Sequence, residues 1–239
     1  MKESTVAGLK VRWTGGDDGH GGGEGPLVIL LHGYGAPGDD LVPLSREIPA
    51  PPGTRFAFPE APKSLGPQFD EGRAWWDIDI MAYQFAVLAG RTQELTESVP
   101  EGLTEVRARV TELLTEVSST AKGGPVVFGG FSQGAMVSLD VTLHCDVPLS
   151  GLALLSGTII ARQDWIPRLG SRRGLRVLQS HGTQDPILPY EVAEELRGAL
   201  QAAGLEVTWV PFRGGHGIPP GAFEGLGSLL GGHSAKGKA

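Results

Sequence analysis

The sequence predicts an α/β fold in which a mostly parallel sheet carries an antiparallel N-terminal edge and helices on both faces. Short apolar segments alternate with helical patterns along the chain, and right-handed βαβ units are the arrangement that buries such strands. Glycine and proline, 37 and 18 of the 239 residues, bound these segments. The predicted strands are residues 9–14, 26–31, 55–58, 125–129, 149–155, 175–178 and 205–212.

The first two predicted strands differ in character. Residues 9–14 alternate weakly between apolar and polar side chains, whereas residues 26–31 are apolar throughout, as expected of a strand buried on both faces. A flexible turn rich in glycine and aspartate, residues 15–25, joins them. We therefore expect residues 9–31 to form a hairpin that supplies the antiparallel edge.

Three segments have helical patterns. Residues 133–144 are apolar nearly all round, which predicts a buried helix, and residues 190–203 separate apolar side chains from glutamates. Residues 64–102 fit the alternation least well, so we expect an insertion near a site or a partner surface there. The third pattern is the amphipathic face of Leu103, Val106, Val110, Leu113, Leu114 and Val117.

Length, charge and cysteine content limit the class of protein. A chain of 239 residues with 40% hydrophobic residues suffices for one domain, residues 1–239, of which 1–8 and 231–239 are expected to be flexible. The net charge of −7, without a basic stripe, argues against nucleic-acid binding. Cys145 is the single cysteine, which excludes an internal disulfide.

Two sequence patterns bear on export and membrane insertion. Residues 1–5 lack the basic and then apolar layout of a secretory signal. No apolar run approaches the roughly 18 residues of a membrane span. We therefore expect a soluble, cytoplasmic protein.

The segment Gly-Phe-Ser-Gln-Gly at residues 130–134 matches the G-x-S-x-G pattern of a nucleophile turn. The context supports the match, because a predicted buried strand precedes it and a predicted helix follows. A serine on such a turn projects its hydroxyl above the sheet edge, and Gly130 and Gly134 let strand and helix pass closely. The alternative is that Ser132 merely caps the helix in a glycine-rich turn.

A serine nucleophile needs a base, and the base needs an acid that orients it. Asp185 and His216 each follow a later predicted strand, so both belong to the sheet edge that carries Ser132. Taken singly, each is also compatible with an ordinary loop residue. His181, on the same loop as Asp185, is a weaker candidate for the base.

The histidines do not indicate a metal site. No two of them have the spacing of ligands on one helix, and no cluster of acids and histidines suggests zinc. We therefore expect no metal and no other cofactor.

The segment Leu-His-Gly-Tyr-Gly at residues 31–35 directly follows the first buried strand. Acyl transfer requires N–H donors where the oxyanion forms, and their usual sources are such a loop and the residue after the nucleophile. We therefore assign the backbone N–H groups of Tyr34 and Gln133 to an oxyanion hole. Because these donors are backbone groups, side-chain changes there should be milder than Ser132→Ala. The alternative is a tight turn that only leaves the strand.

In these motifs the chain resembles the phospholipase/carboxylesterase family of α/β-hydrolases, which includes acyl-protein thioesterases and bacterial carboxylesterases. The resemblance extends over about residues 27–220. The segments that carry it are Leu-His-Gly-Tyr-Gly at 31–35 with Asp-Asp-Leu at 39–41, Phe-Pro-Glu-Ala-Pro at 58–62, Gly-Arg-Ala-Trp-Trp-Asp-Ile at 72–78, Gly-Phe-Ser-Gln-Gly at 130–134, His-Gly-Thr-Gln-Asp-Pro-Ile-Leu-Pro at 181–189 and Gly-Gly-His at 214–216.

The resemblance implies an α/β-hydrolase fold without a large lid and serine hydrolysis of carboxylic esters or thioesters, and it allows a homodimer. It also implies that the tryptophan segment lies near the substrate groove. Trp75, Trp76 and Leu188 would then line an apolar pocket, and packing in the core is the alternative for each of them.

The function that these residues predict is cleavage of a small-molecule ester, which includes acyl-lipids and acyl-thioesters, by a carboxylesterase or lysophospholipase-like enzyme. Ser132, His216 and Asp185 would act through an acyl-enzyme intermediate. Two alternatives stay open at this point: a peptidase or lactone hydrolase on the same fold, and a catalytically inactive ligand-binding module.

Overall fold

An eight-stranded sheet crosses the computed structural model, which describes residues 1–69, 71–122 and 124–231. A separate two-stranded hairpin consists of β5 and β6. In chain order, the strands are β1 (Lys2–Val6), β2 (Leu9–Gly15), β3 (Leu27–Leu31), β4 (Arg55–Pro59), β5 (Lys63–Ser64), β6 (Arg73–Ala74), β7 (Val126–Phe131), β8 (Gly151–Leu155), β9 (Arg176–Gly182) and β10 (Glu206–Phe212).

Seven α-helices accompany these strands in the part of the chain that the structure describes. The buried helix predicted at residues 133–144 begins and ends as expected. The helices are α1 (Ile80–Leu88), α2 (Thr92–Glu97), α3 (Leu103–Ser119), α4 (Gln133–His144), α5 (Arg162–Arg168), α6 (Tyr190–Ala202) and α7 (Pro220–Leu230).

The strand order in the large sheet is β1-β2-β4-β3-β7-β8-β9-β10. The pairs from β4 onward are parallel, and only β1 with β2 and β2 with β4 are antiparallel. The predicted fold class, a mostly parallel sheet with an antiparallel N-terminal edge, is therefore confirmed.

The antiparallel edge is built differently from the predicted hairpin. β2 pairs with β1 and β4, not with β3, and residues 1–8, expected to be flexible, include the edge strand β1. Ala7 and Gly8, with φ of 48° and 72°, make the tight turn that joins β1 to β2. Apolar patterning missed β1 because only Val6 of this edge strand is buried. At the other terminus, residues 232–239 lie outside the described residues.

Two apolar clusters cover the two faces of the sheet. Alternate side chains of β3 point to opposite sides, so that Leu27, Ile29 and Leu31 join one cluster, and Val28 and Leu30 join the other. The apolar faces of α3, α4 and α6 pack on the first side, and α7 packs on the second. Helices therefore lie on both faces, as predicted, and β3 is buried along its whole length.

The poorly patterned segment, residues 64–102, contains β6, α1 and α2. Each of the two helices buries a single side chain, Ala86 in α1 and Thr96 in α2. The outer face of α1 exposes Met81 and Leu88, with 82% and 87% of their surface accessible. Both helices line the cavity described below, which agrees with an insertion near a site.

A buried carboxylate ties three helices together on the first face. Asp140 of α4 is fully buried and accepts hydrogen bonds from Nε and Nη2 of Arg107 on α3, at 2.7 and 2.8 Å. The indole of Trp165 on α5 donates to the same carboxylate at 2.8 Å. His144 and Asp164 lie beside this group with 2.9 Å between Nε2 and Oδ2, and the Arg107 guanidinium approaches Asp164 as well. The cluster is therefore an ion-pair network that already contains its own cation.

Within the described ranges, no helix is both long enough and apolar enough to cross a bilayer.

Candidate active site

Ser132 lies on a sharp turn between β7 and α4. Its φ of 54° and ψ of −117° are unusual for a residue with a side chain. A Cβ on Gly134 would come within 2.1 Å of the Leu31 carbonyl oxygen, and one on Gly130 within 2.5 Å of the backbone of Gly134. Glycine is therefore required on both sides of Ser132, as the sequence motif predicts. Among the described residues, no α4 amide is capped by the Ser132 hydroxyl, which contradicts the helix-cap alternative.

The three residues predicted to act together form a hydrogen-bonded chain. His216, in the loop after β10, has Nε2 at 2.8 Å from Ser132 Oγ, and its Nδ1 lies 2.7 Å from Asp185 Oδ2. The Ser132 hydroxyl donates to Nε2, and the Nδ1–H donates to the carboxylate. The strands β7, β9 and β10 end at the same edge of the sheet, which brings these three loops together.

Asp185 is held by two further donors. Its Oδ1 accepts hydrogen bonds from the backbone N–H groups of Ile187 and Leu188, at 2.8 and 2.9 Å. Burial by itself raises the pKa of the Asp185 carboxyl, but the hydrogen bonds from His216 and the two backbone groups outweigh it and lower that pKa. Asp185 is therefore an anion at neutral pH, as an orienting acid must be.

His181, the weaker candidate for the base, supports the Asp185 loop. Its Nε2 donates to the Leu188 carbonyl at 2.9 Å and lies 3.4 Å from Asp185 Oδ2. The ring is fully buried, and burial lowers its pKa. The structure therefore places His216, not His181, against Ser132.

The loop after β3 is fixed by a buried histidine. Nε2 of His32 accepts the Ala61 N–H at 3.0 Å, so the ring proton is on Nδ1, which donates to the Gly33 carbonyl at 2.8 Å. Burial lowers the pKa of His32 and keeps the ring neutral. Within the described chain, no acceptor is bonded to the backbone N–H of Tyr34 or Gln133, and both residues line the cavity beside Ser132. Both amides are thus available to a bound ligand, and the oxyanion hole stays a prediction.

Trp75 and Trp76 are anchored by the side chain of Gln133. Gln133 Oε1 accepts the Trp75 N–H and its Nε2 donates to the Trp76 carbonyl, both at 2.9 Å. The Trp75 indole donates to the His32 carbonyl at 2.9 Å, and the ring is 2% exposed. Trp75 is therefore a buried support and does not line the cavity, contrary to the prediction. The sequence predicts a role for the backbone N–H of Gln133 but none for its side chain. That side chain bonds to Trp76, which lies 57 residues earlier in the chain.

A cavity of about 690 Å³ opens beside Ser132 and His216. Trp76 and Leu188, predicted to bind substrate, both line it. Its volume falls in the usual range for a small-molecule site. Other apolar residues in its wall include Ile78, Tyr83, Leu95, Met136, Ile159, Ile160 and Val192.

Comparison with known proteins identifies the family of the chain. The sequence profile of the phospholipase/carboxylesterase family matches residues 21–231. The chain belongs to the phospholipase/carboxylesterase family. It is thus a hydrolase with the α/β-hydrolase fold, as the motifs indicate.

Several relatives of this family member are known by sequence or by structure. The chain is 28% identical over 198 residues to acyl-protein thioesterase 1 of Candida albicans. The match covers 75% of this chain and 78% of that protein. Acyl-protein thioesterase 1 of Eremothecium gossypii is 32% identical over 177 residues, 70% of this chain and 68% of its own. The crystal structure of esterase PE8 superposes with a TM-score of 0.71 at 26% identity, over 96% of this chain and 98% of that one.

The side chain of Gln133 has a testable structural role. In Gln133→Ala the N–H of Trp75 and the carbonyl of Trp76 lose their buried partners, so we expect the free energy of unfolding to fall by about 1–3 kcal/mol. Urea denaturation measures this loss. Gln201→Ala, the same substitution at an exposed position of α6, is the matched control. Equal unfolding midpoints for the two variants would show that the anchor contributes nothing. The milder loss of activity than in Ser132→Ala stays a prediction.

Because Tyr83 is partly buried, we expect the stability of the protein to fall at alkaline pH. Burial, assisted by the negative charge of Asp185, raises the pKa of the Tyr83 phenol to about 12. In the unfolded chain this group titrates near pH 10, so between about pH 10 and 12 only the unfolded state has lost the proton, and stability falls as the pH rises. In Tyr83→Phe this loss is absent. Denaturation series from pH 9 to about 11 should show a steeper decline for the wild type, and parallel declines would contradict the assignment.

Proposed function

We propose that this family member is a serine hydrolase that cleaves carboxylic esters or thioesters through an acyl-enzyme intermediate on Ser132. The observation that carries the proposal is the pair of hydrogen bonds that His216 makes, 2.8 Å to Ser132 Oγ and 2.7 Å to Asp185 Oδ2. These are the distances that a nucleophile, its base and an orienting acid require.

Acylation follows from this arrangement. Ser132 Oγ attacks the substrate carbonyl carbon while its proton passes to His216 Nε2, and Asp185 stabilises the resulting imidazolium. The free N–H groups of Tyr34 and Gln133 stabilise the negative oxygen of the tetrahedral intermediate. When this intermediate collapses, the bond to the leaving alcohol or thiol breaks, and the proton on His216 goes to the leaving group.

Deacylation repeats these steps with water as the nucleophile. His216 takes a proton from the water molecule, the hydroxide oxygen bonds to the acyl carbon, and Ser132 Oγ leaves and regains its proton. The products are a carboxylic acid and the free enzyme. Neither half-reaction needs a redox cofactor, because no atom changes oxidation state overall.

The cavity supports an apolar acyl group as the bound part of the substrate. Its wall is formed mainly by aliphatic and aromatic side chains, with Trp76 and Leu188 close to the reacting residues. The relatives named acyl-protein thioesterase 1 support a thioester as one substrate class. Carboxylic esters and lysophospholipids are the other classes that the same chemistry serves.

Covalent labelling tests the proposal directly. A fluorophosphonate probe should label the wild type at neutral pH, with the adduct mapped to Ser132 by mass spectrometry, and it should not label Ser132→Ala. A panel of p-nitrophenyl esters, acyl thioesters, lysophospholipids and peptides then assigns the substrate class. Turnover of esters or thioesters without peptide cleavage supports the proposal. A folded wild type that resists labelling and turns over no ester favours the inactive binding module instead.

A further inference from the structure

Ser156 occupies a strained position directly after β8. It is fully buried, and its φ of 48° lies in the left-handed region that residues with a side chain rarely adopt. A backbone in this conformation is less stable than the usual regions by about 1–3 kcal/mol, so the surrounding structure must hold it there. Neither the sequence motifs nor the proposed chemistry uses this residue.

The hydrogen bonds of Ser156 connect two elements of the site. Its hydroxyl donates to the carbonyl of Gly217, the residue after His216, at 2.7 Å, and its N–H donates to the Ser180 carbonyl of β9 at 2.8 Å. The carbonyl of the preceding residue, Leu155, accepts the N–H of Ser132 at 2.9 Å. Two consecutive residues at the end of β8 therefore hold the nucleophile turn and the histidine loop.

The histidine loop depends on such outside contacts. Residues 213–217 read Arg-Gly-Gly-His-Gly, and three glycines in five positions give the free chain wide conformational freedom. On the N-terminal side of His216, Gln184 N–H donates to the Gly214 carbonyl at 3.0 Å. On the C-terminal side, the donor that bonds to the loop backbone, among the described residues, is the Ser156 hydroxyl. It donates to the Gly217 carbonyl. The imidazole itself contacts the Phe131 ring, with 4.9 Å between the centroids.

We propose that Ser156 is a positioning residue whose hydroxyl, by holding the Gly217 carbonyl, sets His216 Nε2 against Ser132 Oγ. This role rests on the proposed serine chemistry and adds a part to it. The left-handed backbone turns the chain out of the line of β8, and from this turn the hydroxyl reaches the histidine loop. Without the hydroxyl, the loop is tied on one side only, and the imidazole occupies the productive position for a smaller fraction of the time.

Two substitutions separate positioning from stability. Ser156→Ala removes the hydroxyl and keeps the unfavourable φ, whereas Ser156→Gly removes the hydroxyl and makes the φ favourable. We expect kcat for a p-nitrophenyl ester to fall by about 10-fold to 100-fold in both variants, because a displacement of about 1 Å of a reacting group lowers rates on this scale. KM should stay within about twofold of the wild-type value, since the cavity wall does not include Ser156.

The matched control is Ser138→Ala. Ser138 is also fully buried and its hydroxyl also makes one hydrogen bond, at 2.9 Å to the Ala135 carbonyl within α4. We expect this variant to lose stability like Ser156→Ala but to keep wild-type kcat. Ser156→Gly should combine the loss of kcat with an unfolding midpoint at least as high as that of Ser156→Ala. The rate of fluorophosphonate labelling of Ser132 should fall in parallel with kcat.

Three outcomes would overturn the inference. If both Ser156 variants kept kcat and labelling rates within about twofold of the wild type, the hydroxyl would have no positioning role. If Ser138→Ala lost as much kcat as Ser156→Ala, general destabilisation would explain the result. A wild type that neither turns over esters nor reacts with the probe refutes the serine hydrolase itself, and the role of Ser156 falls with it.

Discussion

Asp185→Asn is expected to lower kcat by about 10,000-fold while the protein stays folded. Oδ1 of Asp185 accepts two backbone N–H groups, so the amide oxygen of an asparagine has to take this place. The amide NH2 group then faces Nδ1 of His216, which must accept instead of donate. The imidazole proton moves to Nε2, where the ring can no longer take the proton of Ser132.

Steady-state hydrolysis of a p-nitrophenyl ester measures this effect, and the unfolding midpoint verifies that the variant is folded. Asp146→Asn makes the same substitution at an exposed position after α4 and serves as the control for the loss of one charge. We expect this control to retain wild-type kcat. A folded Asp185→Asn with activity within tenfold of the wild type would show that the carboxylate does not set the tautomer of His216.

Arg107→Met is expected to reduce the free energy of unfolding by about 3–5 kcal/mol, because it leaves the buried Asp140 carboxylate without its cation. For a chain of this size, such a loss lowers the melting temperature by about 10 °C. Trp165 still donates one hydrogen bond to Asp140, but an indole N–H carries no charge to balance the anion. Methionine keeps the unbranched shape of the side chain and its helix propensity, so the loss reports on the charge.

Arg109→Met, two positions further along the same helix and exposed, is the matched control for Arg107→Met. Calorimetry of both variants at neutral pH gives the comparison, and Arg109→Met should melt close to the wild type. In the double variant Arg107→Met/Asp140→Leu the unpaired anion is gone, so part of the lost stability should return. If Arg107→Met melted like its control, the network would not contribute to stability.

The sequence suffices to predict the parts of the site that follow from chain order. Buried parallel strands end at one edge of a sheet, so Ser132, Asp185 and His216 could be brought together from their positions after three strands. The same reasoning predicts Tyr34 from the loop after the first buried strand and Gln133 from its place directly after Ser132. These residues share a local signal, which is an apolar run followed by glycines.

Other features have no local signal. β4 lies between β2 and β3 in the sheet, and strand pairing over such sequence distances is not encoded in apolar patterning. Trp75 is buried and bonds to the carbonyl of His32, 43 residues earlier, instead of lining the cavity. Ser156 reaches a carbonyl 61 residues later, and nothing in the sequence around it distinguishes it from another strand-end serine. Contacts of this kind are decided by tertiary packing.

The helices α1 and α2 are weakly buried. The part of the cavity wall that they form can therefore vary independently of the loops that hold Ser132, Asp185 and His216. These three residues belong to loops tied to the large sheet, whereas the two helices contribute to the outer wall of the cavity and fully bury only Ala86 and Thr96. Substitution of residues 80–97 removes few buried apolar contacts. The segment can therefore be redesigned, or replaced by that of a homologue, while the sheet remains intact. Libraries that vary the exposed positions of this segment and keep Tyr83, Ala86 and Thr96 should therefore yield enzymes with new acyl-length selectivity at unchanged thermal stability.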